Sequence, residues 1–450
     1  MDSLPAELIL KITKYFTLFD LLAFKSVCQR WYSISQDPLI WQTLYFQKGW
    51  PYNEHHVDRI NRYLYQRALR TKYNINGDFM TEHTTTPGNF DQNEIWASSL
   101  NWHYIYQIRH HLEQNWTKGK FWMTCIPSVS SSSSSGTTSI SSVASHTASV
   151  YAVRFNNKLL LSASRDSTVK VWDLDTRLLL ATLRGHRGSV LCLQFDQASN
   201  FVVSGGADGR LIIWDLEQRE QVRSIQAHSD SVMDVAISDE YIVSCSRDRK
   251  VCLWDRNAPF SLIRTLEGHI GVVNSVKIKG RHVVSGSGDR SIRFWDIDTG
   301  QCIRTIVRHS RGISTIGFDG KTIVSGSSDR TIAFFDTKTG EMTELNNVHD
   351  SLVRTLHYTP ARMVTGSYDG TVKCWVPVPS LYQTESAVQW TLQFAIPVPR
   401  YFGPTVQVFD LQFDHRRIIV SSLESTILYY DMGKDIDGLD ALDEIFHTKT

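Results

Sequence analysis

The sequence has little that would place it at once in a functional class. Its 47 Lys and Arg residues are balanced by 46 Asp and Glu, a net charge of +1, so no excess of positive charge favours nucleic acid or an anionic membrane. The most apolar early run, residues 8–24, is interrupted by Lys11, Lys14 and Asp20, so we expect neither a signal peptide nor a membrane span. Any recognition through charge must be local.

Cysteine is also scarce, and the seven cysteines form no Cys-x-x-Cys pair. An odd number, with several members on predicted core strands, argues against a disulfide framework and indicates a reducing compartment, the cytoplasm or the nucleus. The adjacent histidines His55-His56 and His110-His111 lack Cys or acidic neighbours at ligand spacing. We therefore expect no metal and no cofactor.

The sequence does contain a repeat of 40 to 42 residues, which is clearest at residues 269–296. Each copy opens with a His and holds two short runs of alternating residues, a pattern typical of short β-strands. A period of this length predicts propeller blades. The histidines that open six copies are His146, His186, His228, His269, His309 and His349.

Further polar and aromatic positions recur in fixed register within the copies. An Asp lies six residues before a Trp, and a Ser or Thr lies four residues before that Asp. A catalytic Ser-His-Asp set occurs once in an enzyme, so we interpret these repeated residues as a hydrogen-bond chain that stabilises each blade. Phe335 replaces the fifth Trp and has no N–H donor, so the fifth blade should be less well tied. The aspartates are Asp166, Asp208, Asp248, Asp289, Asp329 and Asp369.

A degraded seventh copy ends at Tyr430-Asp431. Its predicted strands cover residues 408–413 and 417–422. Residues 388–396 are a candidate outer strand for blade six. Seven blades are therefore expected.

A closed ring needs a partner strand for its last blade. Ile140 and Val143 keep the spacing that the other outer strands have before the repeat histidine, so we predict that this segment closes the ring. Residues 444–447 are the competing strand. The rest of residues 433–450 is predicted to be an acidic tail, which most often is solvated surface.

Three short helices are predicted in the first fifty residues. Ser3 can cap a helix with Pro5 in its first turn, Asp20 begins a second helix, and the Asp-Pro pair at 37–38 begins a third. A core of this size is marginal, so apolar surface on the first helix favours a partner. A further helix is predicted over about residues 94–115.

Spaced Leu, Pro, Cys and Trp positions in this region resemble an F-box over residues 2–47. The motif reads Leu4-Pro5-x-Glu7-Leu8, Asp20-Leu21, Val27-Cys28-x-x-Trp31 and Asp37-Pro38-x-x-Trp41. The repeated His, Ser, Asp and Trp resemble WD repeats. Together these motifs resemble the family of F-box and WD-repeat proteins, which implies an all-β seven-bladed WD40 propeller preceded by a small all-α F-box domain and a helical linker.

The resemblance also implies a domain order and a function. The expected segments are an F-box domain at 1–50, a helical linker at 51–127, a Ser-rich flexible segment at 128–137, a propeller at 138–432 and the acidic tail. The family consists of substrate receptors of Skp–cullin–F-box ubiquitin ligases, which carry no catalytic residues and bind a degron-bearing substrate. Nucleic acid and membrane are not expected partners, and a non-ligase WD-repeat scaffold is the alternative. The Skp-type adaptor would be bound by Leu4, Pro5, Leu8, Ile9, Ile12 and Trp41.

Two positions in each blade are expected to face one rim of the central channel. They are the residue before the turn Asp and the residue after the Val or Ile that opens the innermost strand. In related receptors arginines at these positions bind phosphate, which implies that role for Arg165, Arg247 and Arg354.

Other residues at these positions are aromatic, polar or apolar. The three arginines are spread over blades one, three and six, so an unmodified peptide is the alternative ligand. The arginines that follow the turn Asp, namely Arg249, Arg290 and Arg330, are interpreted as solvated. The remaining predicted substrate contacts are Tyr368, Tyr151 and Asn274.

Overall fold

The computed structural model describes residues 37–48, 50, 102–127, 145–196, 201–378, 389–399, 406–437 and 439–446. The chain divides into two compact units, of which one comprises residues 1–120 and 432–450 and the other residues 121–431. Five predicted adaptor contacts, at positions 4, 5, 8, 9 and 12, lie outside the described residues. Within the described ranges, no helix is both long and apolar enough to cross a bilayer.

The first unit contains helices α1 (Pro38–Gln47), α2 (Trp102–Lys118) and α3 (Leu439–Phe446). The Asp-Pro start predicted for α1 is confirmed, because an Asp37 carboxylate oxygen accepts a 2.8 Å hydrogen bond from the Leu39 N–H and Pro38 occupies the first turn. Helix α2 includes much of the predicted 94–115 helix and extends to Lys118. Its Asn115 side-chain amide donates to the Met432 carbonyl at 2.7 Å, so the C-terminal segment is part of this unit.

Helix α3 corrects two predictions about the end of the chain. Residues 444–446 are helical, so they do not supply the competing closing strand. The segment is also more than solvated tail, because Leu439, Leu442 and Phe446 are buried. Their spacing of three and four residues puts them on one face of the helix, with acidic residues between them, and acidic composition alone concealed this face.

The second unit is a seven-bladed β-propeller of four-stranded antiparallel sheets. Strand β1 (Trp122–Ile126) comes first along the chain and belongs to blade seven. Blades one to three are formed by β2 (Val150–Phe155), β3 (Leu159–Ser164), β4 (Thr168–Asp173), β5 (Leu179–Arg184), β6 (Val190–Asp196), β7 (Phe201–Gly206), β8 (Arg210–Asp215), β9 (Glu220–Gln226), β10 (Val232–Ile237), β11 (Tyr241–Ser246), β12 (Val251–Asp255) and β13 (Leu262–Leu266).

Blades four to six follow the same order. They are formed by β14 (Val273–Lys279), β15 (His282–Ser287), β16 (Ser291–Asp296), β17 (Cys302–Val307), β18 (Ile313–Phe318), β19 (Thr322–Ser327), β20 (Ile332–Asp336), β21 (Met342–Leu345), β22 (Val353–Thr359), β23 (Arg362–Ser367), β24 (Thr371–Pro377) and β25 (Trp390–Pro397). Blade seven adds β26 (Val408–Phe413), β27 (Arg417–Ser422) and β28 (Ile427–Asp431) to β1. The predicted seventh blade and the outer strand of blade six are confirmed.

Strand β1 closes the ring and corrects the predicted closing strand. It pairs antiparallel with β28, from Trp122 opposite Asp431 to Ile126 opposite Ile427. The outer position of blade seven is therefore filled by residues upstream of the serine run, whereas Ile140 and Val143 lie outside the described residues. The propeller unit begins at residue 121 rather than 138. The spacing of outer strands before a repeat histidine did not predict this strand, because the serine run separates β1 from His146.

The polar register inside the blades has the predicted structural role. In blades one to six the His Nε2 atom lies 2.8 or 2.9 Å from the Ser or Thr hydroxyl, and Nδ1 faces the turn Asp. Five tryptophans donate their indole N–H to the same hydroxyl at 2.8 to 3.0 Å. Blade five lacks this donor, and its Ser325 hydroxyl keeps the histidine bond and lies 3.4 Å from the Ala333 carbonyl.

Four histidines and Asp289 of these networks have lowered pKa values, for different physical reasons. Burial lowers the pKa of His186, His228, His269 and His309 below the usual value. Burial alone would raise the pKa of Asp289, but hydrogen bonds from Ser291 and His269 outweigh it and lower that pKa. The carboxylates are thus occupied inside the blades and are not available as a reactive set.

Candidate binding rim

A β-bulge recurs at the start of the innermost strand in every blade. The register shifts by one residue at the same place each time, which leaves one residue unpaired on that strand. Bulges re-aim a side chain, so each blade presents one residue in the same way. These residues are Tyr151, Leu191, Met233, Asn274, Ser314, Arg354 and Phe409.

The residue before the turn Asp is tied to the same end of the blade. Its backbone N–H donates to the carbonyl that lies two residues before the bulge, at 2.7 to 3.4 Å in all seven blades. In blade three, for example, the Arg247 N–H donates to the Ser231 carbonyl at 3.0 Å, two residues before Met233. Both predicted rim positions therefore lie together at one end of each blade, whatever their side chains are.

Blades two to five form a recess at this rim. It encloses about 510 Å³ and brings together Arg247 of blade three and Asn274 of blade four, two of the predicted contacts. Its apolar lining comes from Leu191, Met233 and Val272. The polar lining is completed by Ser231 and Ser328, and the backbone of Gly288 and Gly312 is also exposed to it.

An aromatic cluster occupies the rim of blades six, seven and one. The ring centroid of Phe409 lies 5.2 Å from that of Tyr151 and 5.7 Å from that of Tyr368. Two predicted contacts are thus brought together by a residue that the sequence reasoning missed. Phe409 could have been found, because it follows Val408 as Tyr151 follows Val150, but the degraded seventh repeat hid this alignment.

The three predicted phosphate-binding arginines differ in surroundings. Arg165 is exposed, and the exposed Arg247 side chain lies 3.9 Å from the Asp230 carboxylate, a weak pair at most. Arg354 is half-buried, and its Nε atom is buried without a hydrogen-bond partner. The structure places them on three different blades and brings only Arg247 into the recess.

Asn274 has a structural bond as well as a place in the recess. Its side-chain amide donates to the Ile313 carbonyl of blade five at 2.7 Å. One of the two amide N–H donors therefore joins two blades. A ligand can use the carbonyl oxygen of this side chain, which accepts hydrogen bonds.

Below the rim, side chains on the innermost strands join consecutive blades. Asp410 of blade seven accepts from the Val153 N–H of blade one at 3.1 Å and from the Arg154 guanidinium at 2.6 Å. Asp234 of blade three accepts from the Val276 N–H and the Lys277 ammonium of blade four at 3.1 and 3.0 Å. The innermost strand of each blade has one edge without a neighbouring strand. These carboxylates accept hydrogen bonds from backbone N–H groups at that edge.

His357 makes the equivalent joint between blades six and seven. Its Nδ1 atom accepts from the Phe413 N–H at 3.1 Å, and Gln412 accepts in the same way from the Phe155 N–H of blade one at 2.8 Å. Burial, together with the positive charges of Arg154 and Lys277, lowers the pKa of His357 to about 3. Protonation would remove this acceptor.

We expect His357→Gln to make the propeller less sensitive to acid. The unfolded chain protonates near pH 6.5 and the folded chain only near pH 3, so folding stability from the neutral imidazole is present above pH 6.5 and is lost as the pH falls through that window. The loss is at most about 1.4 kcal/mol per pH unit. Thermal unfolding of both proteins between pH 7 and pH 4.5 measures the difference, and glutamine keeps the acceptor as Gln412 does. Parallel pH curves would contradict this assignment.

Two family models match the chain. The model described as F-box-like matches residues 1–47, and the model described as WD domain, G-beta repeat matches residues 137–173, 177–215, 219–255, 260–296, 300–336 and 342–376. The repeat model does not match blade seven, although that blade has the same four-stranded structure as the others.

Proteins named for an F-box or for an SCF ligase are among the relatives. An F-box protein of Saccharomyces cerevisiae is 29% identical over 188 residues, which are 40% of this chain and 24% of that protein. The probable E3 ubiquitin ligase complex SCF subunit sconB of Arthroderma otae is 24% identical over 194 residues, 41% of this chain and 24% of that protein. The chain spans about a quarter of the length of these relatives.

Solved structures share the propeller. The crystal structure of the computationally designed Ika8 protein has 28% sequence identity and a TM-score of 0.51, and the match covers 63% of this chain and 83% of that one. A designed protein carries no natural ligand to transfer, so this likeness concerns the fold.

Proposed function

Because the chain belongs to the family of F-box and WD-repeat proteins, we propose that it is the substrate receptor of a Skp–cullin–F-box ubiquitin ligase. The F-box binds a Skp-type adaptor, and the propeller rim binds a degron on the protein to be ubiquitinated and degraded. The observation that carries the proposal is the pairing of an F-box-like segment with a seven-bladed ring whose rim residues differ from blade to blade. A shared frame with variable side chains is what a specific peptide-binding surface requires.

The chain acts by position and performs no bond chemistry itself. A receptor that holds a substrate lysine near the ubiquitin thioester raises the effective concentration of the two reacting groups. The repeated His, Ser and Asp side chains are engaged in holding the blades, which supports a non-catalytic role. We place this activity in the cytoplasm or the nucleus.

The degron is proposed to carry negative charge. Arg165, Arg247 and Arg354 reach the rim from three blades, and within the described residues no carboxylate forms an ion pair with Arg165 or Arg354. A guanidinium can bind a phosphate or a carboxylate through paired hydrogen bonds. Phosphorylated and unmodified acidic degrons both fit this rim.

Trp41 has a different place in this proposal from the one predicted. It is 2% exposed, and its ring lies 4.2 Å from His103 and 5.3 Å from Tyr106 of α2, so it supports helix packing instead of offering surface to the adaptor. Leu39 and Phe46 of the same helix are 63% and 48% exposed. Adaptor contact from α1 is therefore proposed for these two residues.

Co-purification with a Skp-type adaptor tests the proposal. We expect the wild-type chain to bind the adaptor and Leu4→Asp with Pro5→Ala to lose it by at least tenfold, because a charge placed on an apolar contact is left without a partner. Leu178→Asp, a substitution of a 63% exposed leucine in the propeller unit, is the matched control and should bind normally. Failure of the wild-type chain to bind the adaptor would favour the non-ligase scaffold.

A further inference from the structure

The recess of blades two to five is surrounded by arginines to a degree that the other blades do not match. Among the described residues, seven arginines occupy the loops that lead into the innermost strands of blades two to five and the turns that contain the Asp of the repeat, whereas the corresponding segments of blades six, seven and one contain one, Arg165. All seven are exposed, and one of them, Arg308, forms a 2.7 Å ion pair with Glu344. They are Arg187, Arg247, Arg249, Arg290, Arg308, Arg311 and Arg330.

Acidic groups in the same segments do not neutralise this surface for a ligand. The four turn aspartates have side chains that are 5 to 10% exposed and accept hydrogen bonds inside their blades. Two further acidic residues lie there, Asp230 at 3.9 Å from Arg247 and Glu267, which forms a 2.7 Å ion pair with Lys250. The hydrogen-bond donors that a ligand can reach at this sector are therefore mainly guanidinium groups.

Three of the arginines occupy backbone positions that suit glycine. Arg249, Arg290 and Arg330 follow the turn Asp with φ of 74°, 72° and 71°, in the left-handed region. The equivalent residues of blades two and six, Gly209 and Gly370, have φ of 73° and 79°. Ser167 of blade one has φ of 67° at the same position, so the turn accepts a non-glycine residue at some cost in strain. Arginine at this position on three adjacent blades places three guanidinium groups in one sector.

The lining of the recess shows what such a ligand would place in it. Leu191, Met233 and Val272 are apolar, and Arg247 is the one cation among the lining residues. One guanidinium matches the single charge of a carboxylate better than the nearly double charge of a phosphate. The recess thus suits an apolar side chain of the ligand. Single negative charges of the ligand would meet the arginines around the recess.

We propose that this sector binds an extended, unphosphorylated segment of the substrate in which an apolar residue is flanked by Asp and Glu. The apolar side chain enters the recess, Arg247 binds the nearest carboxylate, and Arg249, Arg290 and Arg330 bind carboxylates further along the segment. The inference rests on the proposed function as a substrate receptor and narrows the class of degron. It also replaces the interpretation of these three arginines as merely solvated.

Fluorescence polarisation with synthetic peptides tests the inference on the full chain. The probe is a labelled 13-residue Gly/Ser peptide with a central Leu and three Asp on each side. Matched peptides replace Leu with Ser, all Asp with Asn, or all Asp with Ser of which one is phosphorylated. We expect the Leu/Asp peptide to bind about tenfold or more tightly than each matched peptide, and to weaken as salt rises because the charges are exposed.

Arginine-to-glycine variants test whether the turn arginines bind the peptide, at positions where other blades already have glycine. Arg290→Gly and Arg330→Gly recreate the native turns of blades two and six, so they should fold normally and weaken the Leu/Asp peptide about three- to tenfold each. The control is Arg219→Gly, which removes an exposed arginine of φ 59° from the turn between β8 and β9 at the opposite end of the blade, and should bind like wild type. Met233→Ser, which copies Ser314 of blade five, should abolish the preference for Leu over Ser.

Several results would overturn the inference. They are no binding of the Leu/Asp peptide, equal binding of the peptide with central Ser, tighter binding of the phosphorylated peptide, or unchanged binding by Arg290→Gly and Arg330→Gly. Adaptor co-purification is independent of all four. A chain that binds the adaptor but not the peptide contradicts this inference alone, and a chain that binds the peptide but not the adaptor contradicts the ligase function alone.

Discussion

Replacing Asp410 with alanine is expected to lower the free energy of unfolding of the propeller by about 3–5 kcal/mol. The Asp410 side chain is 14% exposed and accepts from four groups, namely the Val153 N–H, the Arg154 guanidinium, the Thr355 hydroxyl at 3.0 Å and the Leu411 N–H at 2.9 Å. Alanine would leave the arginine, whose side chain is 20% exposed, without its counter-charge and would leave a strand-edge N–H unpaired. The loss falls where blade seven meets blade one, which is the seam that closes the ring.

Urea unfolding followed by tryptophan fluorescence measures this loss. Asp410→Asn keeps an acceptor without the charge, so it should lie between alanine and wild type. Asp239→Ala, at an exposed turn position, is the control and should change the unfolding free energy by less than about 0.5 kcal/mol. If Asp410→Ala lies within about 1 kcal/mol of wild type, the joint between the blades contributes little to closure.

Replacing Phe446 with alanine is expected to destabilise the helical unit by about 3–5 kcal/mol. Phe446 is 1% exposed, its ring stacks on Tyr45 with centroids 6.4 Å apart, and the Arg109 guanidinium lies 5.4 Å from its centroid. Removing the ring leaves a cavity and takes one aromatic partner from the buried Arg109, whose guanidinium also lies over the ring of Trp50. A solvated acidic tail would instead tolerate the change.

Hydrogen exchange locates the effect of this substitution. We expect amides of α2 to lose protection in Phe446→Ala, while strands of the propeller unit keep theirs, because Phe446 and α2 belong to the same unit. Leu39→Ala removes an exposed side chain of α1 and serves as the control. Unchanged protection of α2 would show that α3 does not stabilise this unit.

The residues that join the blades and the residues of the rim have separate tasks in the propeller. Asp234, Asp410 and His357 bind backbone N–H groups of the next blade, so they hold the frame together. The bulge residues of the rim lie outside the strand pairing, so those without a bond like that of Asn274 to Ile313 can vary with less effect on the frame. Specificity can therefore change at these positions with little effect on stability.

The repeat by itself determined the blade count, the polar network and the rim positions. A period of 40 to 42 residues and a fixed His, Ser, Asp and Trp register depend on contacts inside one blade, between residues within about thirty positions of one another. Such contacts leave a pattern that one copy shares with the next. For this reason even the degraded strands at 408–413 and 417–422 were predicted correctly.

Tertiary structure alone decided which distant segments meet. The closing strand β1, the joint of Asp410 with Arg154, the cluster of Phe409 with Tyr151 and the packing of Phe446 on Tyr45 each join residues more than two hundred positions apart. No periodicity records these pairings, because each occurs once and depends on closing a long loop. The recess likewise arises from four blades, and its single arginine and apolar lining form one surface only when these blades pack side by side.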